Sequence, residues 1–99
     1  MAEKNLGQSN VTVVNNVHSA IYLNIYIDDQ LISKELKYDQ SVSYRTTDGM
    51  HTLKFTSQDV FRGERKIKFQ GTFTIEIYMN WLSSPKLRLI RSDGTVQQL

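Results

Sequence analysis

Few side chains in this sequence could perform catalysis. His18 and His51 are the only histidines, and histidine is the usual general base of nucleophilic mechanisms. Cysteine is absent, which excludes thiolate nucleophiles, disulfides and cysteine-based metal centres. Serines are plentiful, but neither histidine lies in a glycine-elbow motif or in a HExxH spacing. We therefore expect a protein that is not an enzyme and that has no metal site.

Several aspartates fall where the chain is expected to turn. These residues are Asp28, Asp29, Asp39, Asp48 and Asp93. Turn chemistry explains them, because short carboxylates accept hydrogen bonds from neighbouring backbone N–H groups. A calcium site would need several oxygen ligands at set spacings, and the EF-hand pattern is absent. The glycine-rich phosphate loops GxxxxGK[ST] and GxGxxG are also absent, so we expect no cofactor.

Positive charge is concentrated in the second half of the chain. Residues 1–52 carry a net charge of −2 and residues 53–99 a net charge of +4. Two basic groups account for the excess: Arg62, Arg65, Lys66 and Lys68, and then Lys86, Arg88 and Arg91. If both segments lie in one sheet, they form a basic stripe that could bind a polyanion, either nucleic acid or an anionic surface. The alternative interpretation is ordinary solvated strand faces and edge-protecting cations.

Three tyrosines are expected to face outward. Tyr22, Tyr26 and Tyr78 alternate with the aliphatic residues of their strands, which places them opposite the core. Exposed tyrosine favours interfaces because a rigid ring gives much contact at little entropic cost. These residues are therefore candidates for protein binding, and stacking across neighbouring strands is the alternative.

Length and composition favour one soluble domain. The chain has 99 residues, 39% of them hydrophobic, and no apolar run is long enough for a membrane helix. Residues 1–10 lack periodicity, so we expect a flexible tail over 1–10 and a single domain over 11–99. The compartment stays open: cytoplasmic, or envelope-associated if this sequence is part of a longer chain.

Strand signals follow one another along the domain. Ile21, Leu23, Ile25 and Ile27 alternate with polar residues or tyrosine, and Phe73, Ile75, Ile77 and Met79 repeat the pattern. We expect one hairpin at Asp28-Asp29-Gln30, a second at Thr47-Asp48-Gly49, a positive φ at Gly49 and a loop over 57–64. The predicted fold is an all-β, antiparallel, two-sheet β-sandwich of seven or eight short strands, Ig-like in its arrangement. A small barrel is the alternative.

Two segments carry a resemblance to a known family. The run Tyr26-Ile27-Asp28-Asp29-Gln30-Leu31-Ile32, followed by Asp48-Gly49-Met50-His51-Thr52-Leu53, resembles PEGA-like bacterial β-sandwich domains. The stretch Trp81-Leu82-Ser83-Ser84-Pro85 is similar to a Trp-x-Ser-Ser-Pro segment of small uncharacterised bacterial domains. The resemblance implies a non-catalytic module, often displayed at the cell envelope.

These observations predict a non-enzymatic interaction module that binds a protein partner or a second copy of itself. Tyr22, Tyr26 and Tyr78, or a free edge strand, would supply the binding surface, and a homodimer is an expected form. Polyanion binding through the basic stripe is the alternative function.

Overall fold

The part of the chain that the structure describes contains nine β-strands. The computed structural model describes residues 7–18, 22–57, 61–79 and 85–99. The strands are β1 (Gln8–Asn16), β2 (Leu23–Ile27), β3 (Gln30–Leu36), β4 (Ser41–Thr47), β5 (Gly49–Ser57), β6 (Phe61–Phe69), β7 (Thr72–Met79), β8 (Pro85–Arg91) and β9 (Val96–Gln98). The described ranges contain no helix, and hence none that could span a membrane. The all-β prediction is confirmed.

The strands form two sheets that pack against each other. The five-stranded sheet has the order β4-β1-β7-β8-β9, and the four-stranded sheet has the order β3-β2-β5-β6. The predicted purely antiparallel arrangement is wrong in one place, because β1 and β7 pair in parallel. Parallel neighbours cannot be joined by a tight hairpin, and here the five intervening strands make the connection.

The core lies between the sheets and follows the predicted alternation. Leu23, Ile25 and Ile27 are buried in β2, and Ile75 and Ile77 are buried in β7. The full buried set also includes aliphatic and aromatic residues from β1, β3, β5, β6 and β8. Met79 departs from the prediction because it ends β7 and is 38% exposed.

The predicted turns at residues 28–30 and 47–49 have different roles. Asp28 and Asp29 form the two-residue β2–β3 hairpin with φ of 52° and 66°, which is the type I′ pattern. Gly49 has the expected positive φ of 127°. The second hairpin is wrong, however: β4 and β5 belong to different sheets, so Asp48 is a corner between the sheets.

Two predicted boundaries also change. The tail was expected to reach Asn10, but β1 begins at Gln8 because Ser9 is fully buried and its hydroxyl donates to Asp48. The predicted loop over 57–64 is wrong at both ends, because Ser57 is the last residue of β5 and residues 61–64 belong to β6, while residues 58–60 lie outside the described ranges. The periodicity of β6 is hidden because Gly63, on the inward side, leaves its space to the ring of Phe55.

The described residues form nine strands rather than the predicted seven or eight, and the short β9 was missed because it has little apolar character. Pro85 is the first residue of β8, as expected for a residue without an N–H. The segment with Trp81, Ser83 and Ser84 lies outside the described residues, as does Ile21.

Candidate functional site

The three candidate tyrosines lie on two different outer faces. Tyr22 directly precedes β2, and Tyr26 lies within β2 with its side chain opposite the buried Ile25 and Ile27. Tyr78 lies on β7 in the other sheet, opposite the buried Ile77. The tyrosines therefore do not form one binding face.

Each tyrosine ring is covered on one side by a cation. The distances to the ring centroid are 5.6 Å for Lys37 Nζ on Tyr22, 4.7 Å for Lys54 Nζ on Tyr26 and 4.2 Å for Arg88 Cζ on Tyr78. Tyr26 and Lys54 are direct cross-strand partners on β2 and β5. These cation–π contacts reduce the ring area that is open to a partner.

The seven candidate basic residues divide into three groups. Arg62, Lys66 and Lys68 face outward on β6, Lys86 and Arg88 face outward on β8, and Arg65 and Arg91 occupy inward register positions. Arg65 pairs with the buried Leu53, and Arg91 pairs with the buried Phe73. Because β6 and β8 belong to different sheets, the single stripe that a shared sheet would produce does not form.

One of the outward cations is already neutralised. Arg88 Nε lies 3.6 Å from Glu76 Oε1, and Glu76 also accepts a hydrogen bond from Asn16. The other outer face has free cations on β6, with Glu64 between Arg62 and Lys66.

The four edges of the two sheets differ in how they are protected. β3 has a bulge with Glu35 at a φ of 56°, and it exposes Lys34. β6 carries four cations, and Arg65 occupies an inward position. β9 has only three residues. Bulges, charges and short length are the usual devices against unwanted strand pairing.

β4 has fewer of these devices than the other three edges. It has seven residues without Lys, Pro or Gly, and it pairs with β1 in unbroken register. Its half-buried positions are Val42, Tyr44 and Thr46, and Arg45 is its one charged residue.

The backbone groups on the free side of β4 follow from the register. The N–H and the C=O of Asn15 both form hydrogen bonds with the β3–β4 connection. Backbone groups alternate in direction along a strand, so the N–H and C=O groups of Val13, Val11 and Ser9 are also directed toward β4. Their partners Val42, Tyr44 and Thr46 use their backbone groups in that ladder. The odd-numbered residues Ser41, Ser43 and Arg45 therefore direct their N–H and C=O groups away from β1. We call these groups the open edge.

His51 forms a buried polar centre at the corner between the sheets. Its Nδ1 donates to Asp28 Oδ2 at 2.5 Å, and its Nε2 donates to the Thr47 carbonyl at 2.7 Å. Hydrogen bonds to a carboxylate and a carbonyl, which both only accept, require a proton on each ring nitrogen, so this geometry favours the imidazolium form. The ring also stacks on Phe69 with centroids 4.6 Å apart.

The pKa values of this pair move apart. Burial disfavours the charge on His51, but the hydrogen bonds to Asp28 and Thr47 outweigh burial and raise the pKa of His51 above its usual 6.5. Burial also opposes the charge on Asp28, yet the hydrogen bonds from His51 and from the Thr52 N–H lower the pKa of Asp28 below its usual 3.8. Both shifts favour the charged forms, an imidazolium on His51 and a carboxylate on Asp28, over proton transfer between them.

The other residues considered for chemistry, His18, Asp48 and Asp93, contact nearby side chains or backbone groups of the fold. His18 lies against Tyr38, with ring centroids 4.4 Å apart and its Nε2 3.2 Å from the hydroxyl. Asp48 accepts from Ser9 and from the Gly71 N–H, and Asp93 accepts from Thr95. Within the described ranges, no three histidine or acidic side chains converge as a metal-binding group.

Comparison with known proteins gives no match: neither a protein-family model, nor a curated protein, nor a solved structure matches this chain. The structure itself defines a class, a small all-β protein of two packed sheets. Membership of the PEGA-like family stays a prediction.

Sequence reasoning missed two polar centres. In the sequence, His51 stands out only as a possible general base, and the contact of His51 with Asp28 spans 23 positions. Asn15 is fully buried and bridges the sheets, donating to the Leu36 carbonyl at 2.8 Å and accepting from the Val17 N–H at 2.9 Å. The available signal was a polar residue at an inward position of an alternating strand.

Proposed function

We propose that this protein is a non-enzymatic interaction module of Ig-like β-sandwich type, and that it self-associates by pairing the open edge of β4 with that of a second copy. The observation that carries this proposal is the contrast among the edges: β4 is long and regular with a single charge, whereas β3 has a bulge, β6 has four cations and β9 has only three residues.

The open edge is suited to an antiparallel pair with a twofold axis at Ser43. In this register Ser43 faces its own copy, and Ser41 faces Arg45 of the second copy. Only the unused backbone groups of Ser41, Ser43 and Arg45 take part. The Thr47 carbonyl, which already accepts from His51, is left out of the pair. Such a contact is isologous and closes after two copies.

Side chains favour the same register. Val42 lies opposite Tyr44 of the second copy on the half-buried side, and pairs of aromatic and β-branched residues stabilise neighbouring strands. Arg45 lies opposite a serine, so no like charges meet. A register shifted to place the axis at Arg45 would bring the two guanidinium groups together.

A non-enzymatic role is supported by the state of His51. Both of its ring nitrogens are engaged by structural hydrogen bonds, so it is not available as a base.

The test is sedimentation equilibrium over a range of protein concentrations with Ser43→Pro. Proline removes an N–H of the open edge but no hydrogen bond of the β1–β4 ladder, so the fold is kept. We expect the wild type to show a concentration-dependent dimer and Ser43→Pro to remain a monomer.

Ser43→Ala is the matched control, because it removes the hydroxyl contact with Thr12 at 3.1 Å but keeps the backbone donor. It should dimerise like the wild type. A wild-type protein that stays monomeric at millimolar concentration, or a dimer that survives Ser43→Pro with a native circular dichroism spectrum, would overturn the proposal.

A further inference from the structure

We propose that the cleft between β6 and the β8–β9 hairpin binds a phosphate group. The cleft has a volume of about 140 Å³, and its lining includes Lys66, Lys68, Arg91 and Gln97 over a floor that contains Ile67 and Leu89. It lies at the opposite end of the five-stranded sheet from β4, so this proposal and the proposed self-association can fail independently.

The β6 side of the cleft offers backbone donors as well as cations. The Thr52 carbonyl accepts a hydrogen bond from the Asp28 N–H on the β2 side of β5. The backbone N–H and C=O groups of the odd-numbered residues of β5 are therefore directed toward β6. Their partners in β6 are also odd-numbered, and Ile67 is the partner of His51. Lys66 and Lys68 therefore direct their N–H groups away from β5, at the free edge of the sheet that borders the cleft.

A hydrogen bond within β6 shows that the backbone carbonyl of another even-numbered residue also lies on the free edge. Arg65 Nη1 donates to the Glu64 carbonyl at 2.9 Å, and Glu64 is the preceding even-numbered residue of the edge. That carbonyl is thus occupied, whereas the N–H groups of Lys66 and Lys68 have no partner among the described residues.

The other side of the cleft is formed by side chains in inward register. Arg91 pairs with the buried Phe73, and Gln97 pairs with the buried Leu89. These positions would hold apolar residues if the gap between the sheets were closed there. A guanidinium and an amide instead line the opening, and both can donate to an oxyanion.

Charge favours a dianion. None of Lys66, Lys68 and Arg91 has a salt bridge within the described part of the chain. Asp93 is close enough for Arg91 to contribute to lowering its pKa, but the main causes are hydrogen bonds from Thr95, which occupy Oδ1. A phosphate group carries about −1.5 to −2 at neutral pH and accepts several hydrogen bonds. This matches the Arg91 guanidinium and the N–H donors of β6, with the outward side chains of Lys66 and Lys68 at the rim of the cleft.

Size favours a compact group. Sites for drug-sized ligands occupy roughly 300 to 1,000 Å³, well above the volume of this cleft. The site therefore fits inorganic phosphate, or the terminal phosphate of a larger molecule whose remainder stays outside.

The experiment is a titration of the isotope-labelled protein with inorganic phosphate at constant ionic strength, followed by amide NMR. We expect saturable shifts of the Lys66 and Lys68 N–H signals and of the Gln97 side-chain amide. Acetate at the same concentration should produce far smaller shifts because it carries a single charge. Equal effects of the two anions, or linear shifts without saturation, would overturn the proposal.

Substitutions then locate the site. Arg91→Gln and Lys68→Gln should each weaken phosphate binding about tenfold or more, which is the expected loss of one charge-assisted hydrogen bond. Lys34→Gln removes an exposed lysine on β3 and is the matched control, with binding unchanged. Equal weakening by Lys34→Gln would show non-specific attraction and reject the cleft.

A second titration with a phosphomonoester separates the two sources of the group. Additional shifts outside the cleft with tighter binding would support a larger ligand, and identical shifts with equal affinity would support free phosphate. No binding of either compound would contradict the proposal.

Discussion

His51 on β5 and Asp28 in the β2–β3 turn form a charged contact, with Nδ1 and Oδ2 2.5 Å apart, at the corner where the chain passes between the sheets. The histidine side chain is 9% exposed and the carboxylate 52% exposed. The second hydrogen bond, to the Thr47 carbonyl, connects the four-stranded sheet to the last residue of β4. One side chain thus links a hairpin turn, a central strand and the edge of the opposite sheet.

Stability should depend on pH through this pair. The pKa of His51 is raised in the fold, so its contribution is complete below 6.5 and is lost as the pH rises through the raised value. The pKa of Asp28 is lowered, so its contribution is complete above 3.8 and is lost as the pH falls through the lowered value. Urea unfolding should therefore show a loss of stability from pH 6 toward pH 9.

Asp28→Asn tests how much the negative charge of Asp28 contributes to this pH dependence. Asparagine favours the positive φ that the turn requires, so the hairpin is kept while the ion pair is removed. We expect a loss of about 1 kcal/mol at pH 5.5, the difference between a charged and a neutral hydrogen bond. The pKa of His51, followed by NMR, should fall. A His51 titration that does not change in this variant would contradict the assignment.

Gly63 should be intolerant of any side chain. A Cβ at this position would lie 2.5 Å from Cζ of Phe55, a buried core residue. We expect Gly63→Ala to lower the free energy of unfolding by about 1–3 kcal/mol, as overpacked cores do. In a double-mutant cycle with Phe55→Leu, the combined loss should be smaller than the sum of the single losses. Additive losses would show that the ring is not the cause.

Asn15 should matter far more than its neighbour Asn16. Asn15→Ala leaves the buried Val17 N–H and Leu36 carbonyl without partners, at a cost of about 1–3 kcal/mol for each group. Asn16 lies on the outer face, where its contact is with Glu76, so Asn16→Ala should cost less than about 1 kcal/mol. Chemical denaturation of the two variants compares the same residue type at adjacent positions.

The tyrosines provide a test that separates surfaces. Tyr22 and Tyr26 lie on the sheet that does not contain β4, so Tyr22→Ala with Tyr26→Ala should leave the dimer dissociation constant unchanged. Tyr78→Ala should also leave it unchanged, because β7 is separated from β4 by β1. A monomeric double variant in sedimentation would place the interface on the tyrosine surface instead of the open edge.

Arg65 should protect β6 against strand pairing. It occupies an inward position on an edge strand, where a charge opposes the addition of another strand. Arg65→Val should increase turbidity during a slow thermal scan, and Arg62→Val, which changes an outward position of the same strand, should increase it less. Equal turbidity from both variants would contradict a specific role for Arg65.

The reach of sequence reasoning differed between local and long-range features. Alternation identified the inward residues of β2 and, apart from Met79, those of β7, because a strand places successive side chains on opposite faces whatever its partners are. The turn at Asp28 and Asp29 and the positive φ of Gly49 could also be predicted, because they depend on residue types within a few positions. β6 was partly missed because Gly63 and Arg65 occupy two of its inward positions, which leaves no apolar signal there.

By itself, the sequence determined the strand type, most of the core and the outward placement of the tyrosines, since each depends on neighbours within a few residues. Only the tertiary structure decided which strands are neighbours. It separated Tyr78 from Tyr26, divided the basic residues among two faces and a cleft, joined His51 to Asp28 and left β4 as an open edge. Strand order sets these relationships, and it follows from the packing of the whole chain, which alternation within a single strand does not encode.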